Sequence, residues 1–202
     1  MIIIKNKIMA TDLDGIFNFG LKGIRDRKIF DKWLEELKAL NLNRATDHNG
    51  IEEEGEWDYY ITGFGGDDPL ENDDPDMPYE VVYEGPYMMK IFLMDDISQI
   101  PTFSRLSILF EQPEWFLEFI DKIHSIIRIF GSNQLIWLSS LGSASYSSIY
   151  QSKVWINTPY EKVRELLIEQ YGNPKTKYEE MAEYDRTNFE YKNIDIFIED
   201  TF

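Results

Sequence analysis

Residues 105–140 read RLSILFEQPEWFLEFIDKIHSIIRIFGSNQLIWLSS, and their pattern decides how the chain folds. Pro113 can open a helix, because it has no N–H to leave unsatisfied in the first turn, and Gly131 can close one in a left-handed cap. Between them Phe116, Phe119, Ile120, Ile123, Ile126, Ile127 and Phe130 recur every three or four residues. That spacing predicts a long helix with one apolar face. Leu106, Ile108 and Phe110 predict a strand before it, and Gln134 to Ser139 a strand after it.

Towards the C-terminal side, the serine-rich stretch Ser139 to Ser148 leads to an expected strand at 149–157. Thr158-Pro159-Tyr160-Glu161 then reads as a capping box with proline at the first helical position. The helix it opens carries Val163, Leu166, Leu167 and Tyr171 on one face and stops at Gly172-Asn173-Pro174. Ile194, Ile196 and Ile198 alternate with Asp195, Phe197 and Glu199 as a last strand. The order βαββαβ over 105–199 resembles the ferredoxin-like split arrangement, an antiparallel sheet with its helices on one face. The expected class is therefore α+β, with 86–202 as a ferredoxin-like half.

Residues 1–85 are less regular. A strand or short hairpin is expected over 2–11, and Gly15 and Gly20 punctuate the next stretch. Ile29, Phe30, Trp33, Leu34, Leu37 and Leu40 predict a helix across about 26–41. Trp57, Tyr59 and Ile61 alternate with Asp58, Tyr60 and Thr62, the pattern of a half-buried strand. Gly63, Gly65 and Gly66 break it, and residues 67–78, DDPLENDDPDMP, read as a solvated loop. Tyr79 to Tyr83 is a further strand, Gly85-Pro86 a turn, and Tyr87 to Met94 an apolar run suited to a central strand. This half is a β-rich extension or a degenerate second copy. Gly85-Pro86 is the boundary unless the two halves form one continuous domain.

The totals bound the function. A chain of 202 residues, 43% hydrophobic and 15% aromatic, has enough apolar surface to offset the entropy of ordering. It has no cysteine, hence no disulfide or thiolate chemistry. The Ile2-Ile3-Ile4 run is cut by Lys5 and Lys7, too short for a signal-peptide core. No stretch approaches the roughly 20 apolar residues that span a bilayer, so a cytoplasmic location is expected. The formal net charge of −17 repels nucleic acid and anionic membranes, and neither is expected as a partner.

Four motifs compete for chemistry. Asp12-Leu13-Asp14-Gly15, after an expected strand, resembles the nucleophile motif of haloacid-dehalogenase-type phosphotransferases, and Asp95-Asp96 resembles that family's magnesium-binding pair. That resemblance implies Asp12 as nucleophile, Asp14 as general acid and Asp95 or Asp96 as metal ligand. The same residues also make a common turn, since Asp and Gly both favour turn geometry. Calcium could be held by the acids of 67–76, but Pro69 and Pro75 interrupt the spacing that a calcium loop needs. His48 and His124 are the only histidines: too few for zinc, with His124 expected as a partly buried, hydrogen-bonded residue on the long helix. Ser143 and Ser145 lack a nucleophile elbow. No catalytic residue, metal or cofactor is therefore expected.

Charge distribution is more telling. From Asp47 to Glu84 there are fourteen acidic residues and no Lys or Arg, so this segment carries −14 of the net −17. Aromatic residues are interleaved with the acids, and the two together can supply desolvated anchors and electrostatic steering for a basic protein. The expected partner-binding residues are Glu52, Glu53, Glu54, Trp57, Asp58, Tyr59, Phe64, Asp67, Asp68, Glu71, Asp73, Asp74 and Asp76. Size, acidity and α+β pattern are similar to those of the acidic immunity proteins of bacterial toxin systems. That resemblance implies a non-enzymatic, cytoplasmic protein that covers the active site of a cognate toxin, for example a nuclease. Anti-defence proteins of phages share the profile. A phosphotransferase using Asp12 and Asp14 and a small-molecule-binding regulatory domain are the alternatives.

Overall fold

The computed structural model describes residues 12–40, 42, 56–63, 79–86, 89–102, 113–140, 158–174 and 195–202. Along the chain these form β1 (Asp12–Phe17), α1 (Arg27–Ala39), β2 (Asp58–Gly63), β3 (Tyr79–Glu84), β4 (Lys90–Leu93), β5 (Ser98–Thr102), α2 (Pro113–Ile129), β6 (Leu135–Ser140), α3 (Tyr160–Tyr171) and β7 (Asp195–Glu199). The class is α+β. The seven strands make one antiparallel sheet in the order β2-β3-β4-β5-β1-β6-β7. Strands from both sides of Gly85-Pro86 belong to it, and β1 lies between β5 and β6. No helix among the described residues is long and apolar enough to cross a membrane.

Alternation along the strands sorts the core into two layers. On one face Phe17, Val81, Tyr83, Ile91, Leu93, Ile100, Leu135 and Trp137 meet Phe30, Trp33 and Leu37 of α1 and Ile120, Ile123, Ile126 and Ile127 of α2. Aromatic rings join the two helices, with Trp33 and Phe130 edge-to-face at 5.3 Å. The Tyr83 hydroxyl donates to the Phe30 carbonyl at 3.0 Å and fixes α1 to the sheet. On the other face Ile16, Ile136 and Leu138 meet Tyr160, Val163 and Leu167 of α3. Neighbours such as Ile16 and Phe17, or Ile136 and Trp137, therefore enter different layers.

This arrangement corrects the ferredoxin-like expectation. In that layout α2 and α3 would share a face, but here they cover opposite faces. In addition, β6 pairs on one side with β1 and on the other with β7, where Ile136 faces Ile198 and Leu138 faces Ile196. The physical reason is that β6 is apolar at every position from Leu135 to Leu138 and buries both of its faces. One helix layer cannot cover both. The strands expected at 2–11, 106–110 and 149–157 lie outside the described residues.

The helix ends follow their local chemistry. The Asp26 carboxylate accepts from the Lys28 N–H at 2.9 Å and caps α1. Helix α3 begins one residue later than the expected capping box places it: Pro159, expected as the first helical residue, is the N-cap and makes no side-chain cap hydrogen bond. Gly131 and Gly172 have φ of 82° and 92°, so each terminates its helix in a backbone that residues with a Cβ rarely adopt.

The link from β1 to α1 is pinned against the residues after β4. Leu21 N–H donates to Met94 O at 2.8 Å and Lys22 N–H to Asp95 O at 3.1 Å. Gly20 lies directly on that backbone, and a Cβ there would collide with the Asp95 carbonyl oxygen. Gly20→Ala must therefore displace main chain rather than a side-chain tip. We expect it to destabilise by about 1–3 kcal/mol, the usual cost of overpacking. A urea unfolding curve checks this; an unchanged midpoint would mean that the two segments separate without cost.

Candidate partner-binding edge

Among the described residues strand β2 ends the sheet, with β3 as its neighbour. An unpaired strand edge is an aggregation hazard that proteins blunt with charge. Here the Asp58 carboxylate accepts from the Tyr59 N–H at 2.7 Å. It thereby occupies a backbone donor of the edge strand.

The three expected site residues within this strand region have different fates. Trp57 is only 4% exposed, and its ring packs so closely on Gly85 that a Cβ there would approach within 2.6 Å. It is a core residue, and its indole Nε1 has no hydrogen-bond partner among the described residues. Tyr59 turns towards α1, stacks near Tyr83 with ring centroids 5.5 Å apart, and donates its hydroxyl to Asp31 at 2.7 Å. Burial, and then the Asp31 hydrogen bond, push its pKa up to about 12. Asp58 is exposed. Glu52, Glu53, Glu54, Phe64, Asp67, Asp68, Glu71, Asp73, Asp74 and Asp76 lie outside the described residues.

The aromatic residue that this edge presents outward is Tyr60, 42% exposed on the face away from α1. It is legible from the strand period, since it alternates with the inward Trp57, Tyr59 and Ile61. Its hydroxyl donates to Glu84 at 3.3 Å, and Lys90 pairs with the same carboxylate. Burial and the Glu84 charge raise the Tyr60 pKa, against the opposing pull of Lys90.

Glu80 stands on the same face and is only 9% exposed. Thr62 donates to it at 3.2 Å. Burial raises its pKa more than that hydrogen bond lowers it. A carboxyl raised in the folded state adds stability below its unfolded pKa and loses it as pH rises through the folded value. Glu80→Gln keeps an acceptor for Thr62 and removes the desolvated charge. It is expected to raise Tm at about pH 7 and to make little difference near pH 4, where the native carboxyl is already largely protonated. Thermal melts at the two pH values check the sign; a lower Tm at neutral pH would reverse it.

The acidic motifs are kept apart. Asp12, Asp14 and Gly15 lie within β1, which is antiparallel to both of its neighbours, so the DxDG sequence is strand and not a turn. Gly15 faces Trp137 across β6, and its missing Cβ leaves room for that ring at 3.3 Å. Asp95-Asp96 precede Ser98, which pairs with Phe17 at the far end of β1. Three residues of strand rise, about 10 Å, lie between Asp14 and that end. Burial and Asp96 raise the Asp95 pKa, Arg25 and Lys22 oppose them, and Lys22 approaches Asp96 at 3.9 Å. No group of three or more His, Asp or Glu among the described residues could hold a metal ion.

A second polar cluster lies near the opposite edge of the sheet. His124 is nearly buried, and its Nε2 lies 2.8 Å from Glu199 Oε2, which also accepts from Trp137 Nε1 at 3.0 Å. Phe202 stacks on the imidazole at 3.8 Å. Hydrogen bonding accounts for both polar side chains.

Comparison with protein-family models finds no match, and comparisons with curated proteins and with solved structures find none either.

Proposed function

We propose that this is a non-enzymatic acidic binding protein that neutralises a basic protein partner, as an immunity protein does with its cognate toxin. The observation that carries the reading is the segment from Asp47 to Glu84, with fourteen acids and no Lys or Arg. A run of one sign over that length sets up a field that attracts a cationic surface before contact. The described part of the segment supports it: exposed Asp58 and Tyr60 on β2 and half-buried Glu84 on the adjoining β3 lie on one face of the sheet. Neutralisation then follows from occlusion, because a partner held face-down by its own cations cannot present them to its substrate.

The test is rescue. A gene adjacent to that of this protein and encoding a basic, growth-arresting product is expressed alone and together with it. Restored growth and a salt-sensitive complex of the two proteins are expected. Growth arrest that persists despite folded, abundant protein would reject the reading for that pair.

A further inference from the structure

We propose that Tyr60, together with the neighbouring cross-strand pair Asp58 and Glu84, seats an arginine side chain of the basic partner. The inference rests on the proposed function and specifies its recognition chemistry. Tyr60 and Leu117 are the large hydrophobic residues exposed among the described residues, and of the two Tyr60 is aromatic and hydrogen-bonded to a carboxylate. Asp58 and Glu84 are directly opposite in the β2–β3 register, an arrangement of like charges that costs stability in a sheet. Lys90, opposite Glu84 on the next strand, offsets that residue from its far side. Asp58 has no cation among the described residues, and its carboxylate accepts from the Tyr59 N–H instead. Among the described residues the frame therefore has an uncompensated negative charge beside an exposed ring.

An arginine fits this frame better than a lysine. A guanidinium is planar and weakly hydrated, so it can lie on a tyrosine face and still direct N–H groups at the Asp58 and Glu84 carboxylates beyond one end of the ring. An ammonium is a compact, strongly hydrated charge that gains less from the ring. Tyr60 is two residues from Asp58 on the same face, roughly 7 Å along the strand, within the reach of one guanidinium and its stem. The Tyr60 hydroxyl bond to Glu84 holds the ring towards the acidic pair.

The test uses an oligoarginine and an oligolysine peptide of equal length, titrated calorimetrically into the full-length chain at low and moderate salt. The wild type is expected to bind the arginine peptide about three- to tenfold more tightly. Tyr60→Thr keeps a strand-compatible residue and should reduce the arginine affinity about three- to fivefold while leaving the lysine affinity nearly unchanged. Tyr60→Phe should keep most of the preference, and Asp58→Asn should lose part of it. Equal binding of the two peptides, or a preference that survives Tyr60→Thr, overturns the seat and leaves acidic docking intact. If neither peptide binds at low salt, the seat and the proposed function fall together. Thermal melts of each variant confirm that it is folded.

Discussion

Trp137→Ala is expected to lower the unfolding free energy by about 3–5 kcal/mol, the range for truncating a fully buried large aromatic. For a chain of this size that corresponds to a fall in Tm of roughly 10 °C. Trp137 is 0% exposed and is the largest of the fully buried side chains among the described residues. Its ring fills space that Gly15 leaves open on β1, so on that side the cavity made by alanine has no side chain to collapse into it. The substitution also removes the indole N–H that donates to Glu199, a carboxylate of low exposure that His124 contacts as well. Partly unsatisfied buried charge adds to the packing loss. Trp137→Phe separates the two effects: it restores most of the ring and not the N–H, and is expected to cost about 1–2 kcal/mol. Circular dichroism melts of both variants check the order. A Trp137→Ala protein that melts with the wild type would mean that the ring is not part of the core.

The same pair shows why part of the fold is legible in the sequence and part is not. Helices announce themselves by period: Ile120, Ile123, Ile126, Ile127 and Phe130 enter one core layer, and α2 runs from Pro113 to Ile129 between the expected Pro and Gly. Strand β1 does not. Asp-Leu-Asp-Gly has the composition of a turn, and only the cross-strand contact of Gly15 with Trp137, over a hundred residues away in sequence, explains a glycine inside a strand. Strand β5 is hidden for a related reason. Ser98-Gln99-Ile100-Pro101-Thr102 is polar and contains a proline, yet it lies between β4 and β1. Ser98 is buried there because its hydroxyl donates to the Phe19 carbonyl. The position of α3 on the second face is hidden too, because periodicity reports that a helix has an apolar side and not which surface receives it.

At the candidate site, alternation separates inward Trp57 and Tyr59 correctly from outward Tyr60. Treating every aromatic near the acids as an anchor blurs that distinction. An indole packed on Gly85 and a phenol bonded to Asp31 already have intramolecular work. The acids themselves carry no such periodic information, since a carboxylate is hydrated in a loop and on a strand edge alike.

Reversing Asp67, Asp68, Glu71, Asp73, Asp74 and Asp76 to lysine is expected to weaken the proposed complex about 10²- to 10³-fold at low ionic strength. Six reversals of two charges each move the formal net charge from −17 to about −5. The protein stays acidic overall, but residues 67–76 turn from acidic to cationic, and the Asp47–Glu84 segment keeps only about −2 of its −14. Long-range attraction acts mainly on association, so the loss should appear in the on-rate. It should shrink as salt rises, because the Debye length falls from about 30 Å at 0.01 M to about 8 Å at 0.15 M. Replacing the same residues by Asn and Gln should give an intermediate loss, since it removes attraction without adding repulsion. Surface plasmon resonance across a salt series resolves the two rates. If only the off-rate changed, with no salt dependence, these acids would be acting as short-range contacts and not as a steering field. If neither rate changed, binding would have to reside elsewhere, and the exposed edge around Tyr60 would then be tested alone.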